Sequence, residues 1–446
     1  MAGAAGDGRG ERDQETVTLL EKIERNEARV GVIGLGYVGL PLAVEFARAG
    51  LRVTGFDVDA ARARQVQDGS SYISDVPTEV LAPLVAERRI SATTNFDELS
   101  DMDAISICVP TPLRKTKDPD ISYIVEAAEA ARKRLRREQL VTLESTTYPG
   151  TTEEVVRPIL EADGLKVGQD VFLAFSPERV DPGNARFHTR NTPKIIGGST
   201  ARCGEAAKRL YEKAVERVVL VSSTQTAEMV KLLENTFRAV NIGLVNEIAI
   251  MCDRLKLDVW EVINAAATKP FGFLPFFPGP GLGGHCIPID PHYLSWKLKL
   301  LNYNARFIEL AGEVNSAMPR YVVDRLAHAL NARRKCLNGS KILVLGVAYK
   351  KDVSDVRESP ALDIIELLRE ARADVSYHDP HVPKLVHGPV SLESVILDEQ
   401  RLRGSDAVVA VTDHAAIAWD WVGRVAPLVF DTRNAIPGLH DNVVKL

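Results

Sequence analysis

The sequence has few cysteines, and their spacing defines neither a metal site nor a disulfide framework. Its 446 residues include 5 cysteines, and no two of them form a CxxC pair. This pattern excludes zinc-finger and disulfide-rich secreted folds and is typical of reduced thiols in a cytoplasmic protein. We therefore expect no bound metal and a cytoplasmic location.

Long apolar runs and an excess of positive charge are also missing. No run approaches the roughly 18 apolar residues that a membrane-spanning helix needs. Residues 1–10 are small and polar, which predicts a disordered tail and not a signal peptide. The formal net charge is -5, unlike the basic character of nucleic-acid-binding domains. The sequence predicts neither a membrane segment nor a nucleic-acid partner.

A strand–turn–helix pattern follows a short polar helix predicted at about 15–26. The apolar strand 29–33 leads into the GxGxxG turn of Gly34, Gly36 and Gly39, and a second strand ends at Asp57. This order is typical of a dinucleotide-binding fold, in which glycines let the pyrophosphate reach a helix N-terminus. Asp57 can accept from a ribose 2′-OH and would repel a 2′-phosphate, which predicts NAD and not NADP. The alternative for Asp57 is a solvated acid at a strand end.

Three later apolar strands place polar residues at the carboxyl edge of the predicted sheet, where ligands of α/β folds bind. The strand at 104–109 precedes Pro110 and Thr111, the strand at 139–143 precedes Thr146, and the strand at 171–175 precedes Glu178. Thr146 and Glu178 are candidate site residues. The alternative is that they are ordinary polar residues at strand ends.

The apolar spacing at 226–267 predicts one long helical segment between two α/β regions, and a natural dimer surface. Lys231 and Asn235 are four residues apart in this segment, so an ammonium and an amide would project from one face. Together they could meet a developing oxyanion. A solvated pair without function is the alternative.

A glycine- and proline-rich stretch, 278–290, contains Cys286 and ends at Asp290. Pro288 is compatible with the first turn of a helix, which would put Cys286 at a helix N-terminus whose dipole favours the thiolate. Asp290 would lie one turn further along. The stretch predicts a nucleophile beside a carboxylate, and a structural cysteine in a tight loop is the alternative.

The last part of the chain repeats the pattern of the first. Residues 341–350 look like a degraded copy of the first strand and glycine turn, with Lys350 where a glycine would approach a phosphate. Lys350 and its neighbour suit a nucleotide diphosphate held by charge, or are a solvated lysine pair. The predicted fold is α/β, with two Rossmann-like doubly wound domains joined by a long central helix. The predicted parts are a tail and helix at 1–27, an NAD-binding domain at 28–222, a central helical and dimerisation domain at 223–335, and a nucleotide-binding domain at 336–446.

Taken together, seven motifs resemble those of the UDP-glucose/UDP-mannosaminuronate dehydrogenase family over about 28–434. They are Gly-Leu-Gly-Tyr-Val-Gly-Leu-Pro, Pro-Thr-Pro at 110–112, Glu-Ser-Thr-Thr-Tyr-Pro-Gly at 144–150, Ser-Pro-Glu-Arg at 176–179, Glu228 with Lys231 and Asn235, Gly-Gly-His-Cys-Ile-Pro-Ile-Asp at 283–290, and Tyr-Lys-Lys-Asp at 349–352 with Arg-Glu-Ser-Pro at 357–360. The resemblance implies oxidation of a UDP-sugar C6 alcohol to a carboxylate with two NAD⁺, through a thiohemiacetal and a thioester on Cys286.

The resemblance also implies roles for individual residues. Lys231, or a water held by Asp290, would be the first base, and Asp290 or Glu178 would activate the hydrolytic water. Lys231 and Asn235 would hold the C6 oxyanion. Thr146 would help to place the water or the nicotinamide. The expected cofactor site comprises Gly34, Gly36, Tyr37, Val38, Gly39, Asp57, Arg62, Pro110, Thr111, Thr146 and Arg357. The expected substrate site comprises Glu178, Arg179, Lys231, Asn235, Phe277, Gly283 and Lys350.

Within the family, the sequence is most similar to bacterial UDP-N-acetylglucosamine 6-dehydrogenases of polysaccharide pathways. Arg179 stands where the glucose branch usually has phenylalanine, which counts against UDP-glucose. Phe276 and Phe277 stand where tyrosines are expected, so a hydroxyl contact near the substrate is missing. Two alternatives remain: a single-hydride dehydrogenase of the 6-phosphogluconate type, which needs no thiol, and a non-catalytic nucleotide-sugar binding protein, which needs no Cys286.

Overall fold

The computed structural model of the chain describes residues 17–73, 75–113, 118–181, 184, 186–284, 286–388 and 390–446. The tail predicted at residues 1–10 lies outside this range. The chain divides into two compact units. The first comprises Met1–Thr111, Ile121–Ser145 and Gly150–Glu228, and the second comprises Pro112–Asp120, Thr146–Pro149 and Met229–Leu446.

The first unit contains an eight-stranded sheet in the order β3-β2-β1-β4-β5-β6-β7-β8. All neighbours are parallel except the antiparallel pair β6 and β7. Strands β4, β5 and β6 are buried at every residue, which explains their continuous apolar runs. The strands β3, β7 and β8 were not predicted. The strands are β1 (Arg29–Ile33), β2 (Arg52–Phe56), β3 (Ile90–Thr93), β4 (Ala104–Ile107), β5 (Leu140–Leu143), β6 (Phe172–Phe175), β7 (Lys194–Gly198) and β8 (Val218–Val221).

Within the described residues, seven helices of this unit accompany the sheet. The first is shorter than predicted and buries Leu19 and Ile23, so it is not polar throughout. Helix α2 follows the glycine turn and ends just before Gly50, whose φ of 94° is the left-handed conformation that favours glycine. The helices are α1 (Leu19–Glu24), α2 (Gly39–Arg48), α3 (Ala60–Gln67), α4 (Thr78–Ala86), α5 (Ser122–Arg132), α6 (Arg157–Glu161) and α7 (Ala201–Ala214), with a 3₁₀ turn at Phe96–Asp101 and a π-helical turn at Thr152–Val156.

The segment predicted as one helical stretch at 226–267 forms two helices. Helix α8 (Thr224–Leu255) begins in the first unit and continues in the second, and α9 (Val259–Ala267) follows. Lys256 has a φ of 60°, which ends α8, and the Asp258 carboxylate caps α9 by accepting from two backbone N–H groups. The apolar periodicity continues across this break, which is why the sequence pattern did not reveal it.

The second unit contains a five-stranded parallel sheet in the order β10-β9-β13-β14-β15. This sheet and the one in the first unit confirm the predicted α/β fold class. The hairpin β11–β12 and strand β15 were not predicted. The elements are helices α10 (Asp290–Lys299), α11 (Arg306–Asn331), α12 (Pro360–Glu370), α13 (Glu399–Gly404) and α14 (Trp419–Val425), and strands β9 (Lys341–Leu345), β10 (Asp374–His378), β11 (Lys384–His387), β12 (Val390–Glu393), β13 (Ala407–Ala410), β14 (Val429–Asp431) and β15 (Val443–Lys445). Across the described ranges, no helix is both long and apolar enough to cross a bilayer.

Candidate active site

The glycine turn after β1 combines two tight positions with an open one. Gly34 has a φ of 90°, and a Cβ added to it would lie 2.5 Å from the Cys108 carbonyl oxygen. A Cβ on Gly39 would lie 1.9 Å from the Gly34 carbonyl oxygen. A Cβ on Gly36 would meet no atom within 4 Å. The fold therefore requires glycine at two positions, and the third leaves space before the N-terminus of α2 for a pyrophosphate.

The Asp57 carboxylate lies beside this turn and is only 5% exposed. Its two oxygens accept from the backbone N–H of Leu35 and of Asp59, each at 2.9 Å. The Arg62 guanidinium lies 4.0 Å away. Each carboxylate oxygen keeps a lone pair for a ribose hydroxyl. The turn and this acid thus fit the adenosine half of NAD.

The other predicted cofactor residues of this unit lie on its surface or at strand ends. Tyr37 is 49% exposed and Thr111 is 5% exposed, whereas Val38 is half-buried and Pro110 is exposed. Val38 immediately precedes α2. Thr111 and Pro110 follow β4, as the sequence predicted, at the edge where its parallel neighbours also end.

A buried ion cluster follows strands β5 and β6. The Lys194 ammonium lies 2.6 Å from Glu144 Oε2 and 3.1 Å from Glu178 Oε2. The Tyr211 hydroxyl donates to the other oxygen of Glu144. Sequence reasoning missed Lys194, although a single charged residue opening the apolar strand Lys-Ile-Ile-Gly-Gly is a signal that it could have used.

The two carboxylates of this cluster have opposite pKa shifts. Burial raises the pKa of Glu144 and outweighs the attraction of Lys194. Burial also acts on Glu178, but there the Lys194 ammonium and backbone donors outweigh it and hold the pKa below its usual range. Glu178 Oε1 accepts from the N–H of Arg179 and of Val180, each at 2.8 Å. Glu178 is therefore a fixed carboxylate with both oxygens engaged.

Cys286 lies in the turn that leads into α10, in the second unit. Its carbonyl oxygen accepts from the N–H of Ile289 at 3.0 Å and of Asp290 at 2.8 Å. Helix α10 begins at Asp290, and Pro291 occupies its first turn. The helix thus starts later than predicted, because Pro288 belongs to the preceding turn.

The electrostatic surroundings of Cys286 oppose the predicted thiolate. Burial, followed by the negative charge of Asp290, raises the pKa of the Cys286 thiol to about 11, although Lys231, Arg357 and Arg238 act in the opposite direction. The expectation that a helix dipole makes this thiol acidic is therefore wrong. Burial also raises the pKa of Asp290 to about 6.

Helix α8 brings the predicted ammonium and amide to Asp290. The Asn235 amide donates to Asp290 Oδ2 at 2.5 Å, and the positive charge of Lys231 opposes the rise in the pKa of Asp290. The second unit therefore brings four predicted catalytic residues together. Thr146 belongs to this unit and is half-buried, whereas Glu178 belongs to the first unit.

The remaining predicted residues make structural contacts of their own. Phe277 stacks on Trp260 with ring centroids 5.9 Å apart, and a Cβ on Gly283 would lie 2.8 Å from Tyr349 Cβ. Arg357 forms an ion pair with Asp355 at 2.5 Å. Lys350 is half-buried in the turn after β9. In the first unit, Arg179 donates to the Pro193 carbonyl oxygen at 2.6 Å.

Arg433, which sequence reasoning missed, follows β14 at the carboxyl edge of the second sheet. Its Nε–H donates to the Val411 carbonyl oxygen at 2.9 Å. A Cβ on Gly279 would lie 2.6 Å from its Nη1, so the guanidinium borders the loop that leads to Cys286. Burial lowers the pKa of Arg433. A guanidinium at this edge can bind a phosphate.

One set of metal-type side chains occurs within the described residues: Asp352, His381 and His414, whose ligand atoms lie within 4.8 Å of one another. Both nitrogens of His414 are already engaged. Nδ1 accepts from the Asp352 N–H at 3.0 Å, and Nε2 is 3.0 Å from Asp379 Oδ2. A metal at this cluster would have to displace the bond to Nδ1.

Comparison with known proteins agrees with this architecture. Three domain models of the UDP-glucose/GDP-mannose dehydrogenase family match in order: the NAD binding domain at residues 28–215, the central domain at 225–317 and the UDP binding domain at 343–438. A UDP-N-acetyl-D-glucosamine 6-dehydrogenase of Pseudomonas aeruginosa is 37% identical over 358 residues, 80% of this chain and 83% of that protein. An NDP-N-acetyl-D-galactosaminuronic acid dehydrogenase of Ralstonia nicotianae is 38% identical over 396 residues, 86% of this chain and 90% of that protein.

The solved structure of a UDP-D-ManNAc dehydrogenase from Pyrococcus horikoshii has a TM-score of 0.85 to this chain at 34% identity, covering 94% of this chain and 98% of that one. The first domain match confirms the predicted cofactor, NAD, and the third supports a UDP-sugar as substrate. The chain therefore belongs to the UDP-glucose/GDP-mannose dehydrogenase family.

Proposed function

We propose that this enzyme oxidises the C6 alcohol of UDP-N-acetylglucosamine to the carboxylate in two steps on one site. The observation that carries the proposal is the group of Cys286, Asp290, Asn235 and Lys231 in the second unit, where a partly buried thiol lies in the field of a buried carboxylate. Bound NAD⁺ supplies the hydride acceptor for both oxidations. A single-hydride dehydrogenase would have no use for the thiol.

Asp290 is the proposed base of the first oxidation, acting through a water that it holds. With a pKa of about 6, it is mostly ionised at neutral pH and still basic enough to take a proton. The Asn235 amide orients the carboxylate through its hydrogen bond to Oδ2. Loss of the hydroxyl proton to this base accompanies departure of the C6 hydride and leaves an aldehyde.

Cys286 captures that aldehyde. The sulfur–carbon bond forms as the thiol proton passes to the aldehyde oxygen, and the product is a thiohemiacetal. The Lys231 ammonium and the second N–H of Asn235 hold this oxygen as charge develops on it. Departure of the second hydride and of the hydroxyl proton yields a thioester. Hydrolysis by one water then releases the carboxylate and restores the Cys286 thiol.

Of the two carboxylates that could activate the hydrolytic water, we favour Asp290 over Glu178. The pKa of Glu178 is held below its usual range, and both of its oxygens already accept hydrogen bonds. A carboxylate in that state is a weak base. We propose that Glu178, with Thr146, positions bound groups and does not transfer a proton.

An N-acetylated sugar is the substrate class that the relatives favour. By their names, those from Pseudomonas aeruginosa, Ralstonia nicotianae and Pyrococcus horikoshii act on GlcNAc, GalNAc-uronic acid and ManNAc nucleotides. Arg179, which replaces the phenylalanine of the glucose branch, supports this class, and the resemblance favours UDP-N-acetylglucosamine within it. UDP-ManNAc, UDP-GalNAc and UDP-glucose are the alternatives.

We propose that Lys350 and Arg433 bind the UDP diphosphate, because both are cations at the carboxyl edge of the second sheet. Arg357 is proposed to reach NAD, and Phe277 and Gly283 to border the sugar.

We also propose that the chain has an NAD-binding domain at 28–222, a central helical domain at 223–335 and a UDP-sugar-binding domain at 336–446, preceded by a short tail and helix. Because the substrates are intracellular nucleotides and all five cysteines are thiols, we place the reaction in the cytoplasm.

We further propose a homodimer through α8. Five large apolar side chains of this helix are between 38% and 58% exposed in the single chain: Met229, Leu233, Phe237, Leu244 and Met251. The last three are seven residues apart, the repeat that pairs helices along one seam. A second copy of the same helix would cover this stripe.

The test is the amount of NADH released per sugar consumed, with each of the four UDP-sugars supplied separately. We expect two NADH per sugar and the highest kcat/KM with UDP-N-acetylglucosamine. Cys286→Ser should stop carboxylate formation, whereas Cys336→Ser is a matched control because that thiol is exposed and lies elsewhere. Full carboxylate turnover by Cys286→Ser would remove the covalent mechanism, and a preference for UDP-glucose would move the enzyme to the glucuronate branch.

A further inference from the structure

Two buried asparagines connect the loop before Cys286 to the helices beneath it. Asn246 on α8 is fully buried and Asn315 on α11 is 4% exposed. The Gly279 N–H donates to Asn246 Oδ1 at 2.9 Å, and the Asn246 amide donates to Asn315 Oδ1 at 2.8 Å. The Asn315 amide then donates to the Ala239 carbonyl oxygen at 3.1 Å. This relay runs from the loop through two side chains to the backbone of α8.

Helix α8 holds both ends of the segment 279–290, which we call the nucleophile segment because it contains Cys286. Asn246 binds its first residue through the Gly279 N–H, and Asn235 binds its last residue, Asp290. The two asparagines are eleven residues apart, close to three helical turns, so they lie on one face about 16 Å apart. The spacing between the two ends of the segment is therefore set by a single helix.

The packing of α8 on α11 makes the asparagine pair possible. A Cβ on Gly243 would lie 3.1 Å from the Ala311 Cβ, so the two helices approach closely one turn before Asn246. Pro319 lies inside the continuous helix α11 and has no N–H to donate to the Asn315 carbonyl. A Cβ on Gly281 would lie 3.3 Å from that carbonyl oxygen, so the nucleophile segment packs directly against this turn of α11.

Neither asparagine belongs to the catalytic group described above. Both are buried, so neither side chain is an ordinary polar group that faces water. Each side chain uses its oxygen as an acceptor and its amide as a donor, so the orientation of both amides is determined. A buried amide pair could have been replaced by apolar side chains if packing were its only purpose. Its directed bond to a loop N–H indicates that it orients the loop.

We propose that Asn246 and Asn315 are positioning residues that set the place of the Cys286 sulfur relative to Asp290. This inference rests on the proposed covalent role of Cys286. If the pair is lost, Asp290 remains held by Asn235, so the first oxidation continues. Capture of the aldehyde weakens, because the Gly279 end of the nucleophile segment loses its bond to α8, and the Gly284 N–H bond to the Arg357 carbonyl oxygen then holds the segment without it.

The experiment compares Asn246→Ala and Asn315→Ser with the control Asn241→Ala. Asn241 lies on the same helix, and its amide donates to the Phe237 carbonyl oxygen within α8 at 2.7 Å. We expect both test variants to lose about 100-fold in carboxylate formation, the scale of a misplacement of about 1 Å, while KM for the UDP-sugar changes less than about threefold. NADH per sugar should fall from two towards one, and hydroxylamine should trap the released aldehyde.

Two further measurements separate positioning from general stability. The rate of Cys286 alkylation by iodoacetamide should change in both test variants and not in Asn241→Ala. Asn246→Asp keeps an acceptor oxygen for the Gly279 N–H and should restore part of the aldehyde capture. Thermal denaturation of each variant shows whether the fold is intact.

A folded Asn246→Ala or Asn315→Ser enzyme that releases two NADH per sugar at the normal rate would overturn the proposal. Loss of folding in both variants would also overturn it, because the pair would then serve the stability of the core. The proposed function fails in a different way, if the unmodified enzyme releases one NADH per sugar or if Cys286→Ser retains two.

Discussion

At the scale of single residues, Asp290 is the group whose ionisation should shape the pH dependence of catalysis. Burial raises its pKa to about 6, and the ionised form is the proposed base. We expect kcat/KM to rise with pH through a pKa near 6, because this parameter reports the free enzyme. Asn235→Ala removes a donor to the carboxylate, which favours the protonated form, and should move the rise to higher pH.

The measurement is a pH–rate profile of the unmodified enzyme, Asn235→Ala and Asp290→Asn. Asp290→Asn should lower kcat by about 10²–10⁴ and remove the rise with pH. Asn241→Ala serves as the control because its amide donates to a carbonyl oxygen within α8. An unchanged pKa in Asn235→Ala would show that Asp290 is not the group that titrates.

Lys194 is a residue whose removal should strongly destabilise the first unit. It is 3% exposed and is the shared partner of Glu144 and Glu178. We expect Lys194→Met to lower the free energy of unfolding at pH 7 by about 3–5 kcal/mol, because two carboxylates lose their buried counter-charge. Without it their pKa values rise, so the loss should be larger at pH 8 than at pH 5.

Urea denaturation at both pH values measures this effect. Lys208→Met is the matched control, since Lys208 and Glu212 form a pair 3.8 Å apart on the surface of α7. Such a pair contributes about 0–1 kcal/mol. Equal losses of stability in the two variants, or a loss that does not depend on pH, would contradict the proposed role of Lys194.

At the scale of elements, the turn between β1 and α2 separates the requirements of the fold from those of the cofactor. Gly39→Ala should destabilise the first unit, because its Cβ would overlap the Gly34 carbonyl oxygen. Gly36→Ala should fold normally, since its Cβ meets no atom within 4 Å, but it should lose about tenfold or more in NAD affinity, because the methyl group would enter the pyrophosphate space.

Thermal denaturation with and without NAD distinguishes the two variants. Gly36→Ala should match the unmodified enzyme without NAD and gain less stability when NAD is added. Gly404→Ala is the control, because Gly404 lies in α13 and a Cβ added to it would meet no atom within 4 Å. Gly164→Ala is unsuitable, because the φ of Gly164 is 94°. Normal NAD binding by Gly36→Ala would place the pyrophosphate elsewhere.

The elements that the sequence predicted correctly are those whose signal is local. Strand β1, the glycine turn and α2 are consecutive, and each has its own periodicity or glycine requirement. The split between α8 and α9 was missed because it depends on one left-handed residue, Lys256, within a continuous apolar pattern. Strands β3, β7 and β8 were also missed. Unlike β4 to β6, strands β3 and β8 are incompletely buried, and β7 contains a lysine and two glycines.

At the scale of the whole molecule, the apolar stripe on α8 should determine the oligomeric state. We expect Leu233→Glu and Leu244→Glu, whose side chains are 58% and 55% exposed, to convert a dimer into a monomer. Burying the charge of the introduced glutamates in an apolar interface is costly, whereas in a single chain these glutamates would face water. Light scattering with size-exclusion chromatography measures the mass.

Val262→Glu is the control, because Val262 is 41% exposed on α9 and lies outside the stripe. The monomeric variants should keep their thermal stability within a few degrees if the stripe serves only the interface. A mass that does not change in either α8 variant would mean that another surface joins the copies, or that the enzyme acts as a monomer.

The sequence by itself determined the fold class and the cofactor, and it supplied the residue that we propose as the nucleophile. Each depends on a signal within about thirty residues: the glycine spacing followed by Asp57, the α/β pattern in each of its two copies, and Cys286 four residues before Asp290. Only the tertiary structure decided the partners of the charged groups. Glu144 and Lys194 are 50 residues apart in the chain, and Asn235 and Asp290 are 55 apart.

The physical reason is that periodicity shows which face of an element is buried but not which residue lies opposite. The pKa of Cys286 depends on burial and on Asp290, so the expected thiolate could not be tested from spacing alone. The Asn246–Asn315 pair gave no signal in the sequence, because an isolated asparagine in a helix is ordinary until the packing of α8 on α11 buries it. Residues that act together within one short segment can therefore be found from the sequence, whereas the charges and hydrogen bonds around them depend on the fold.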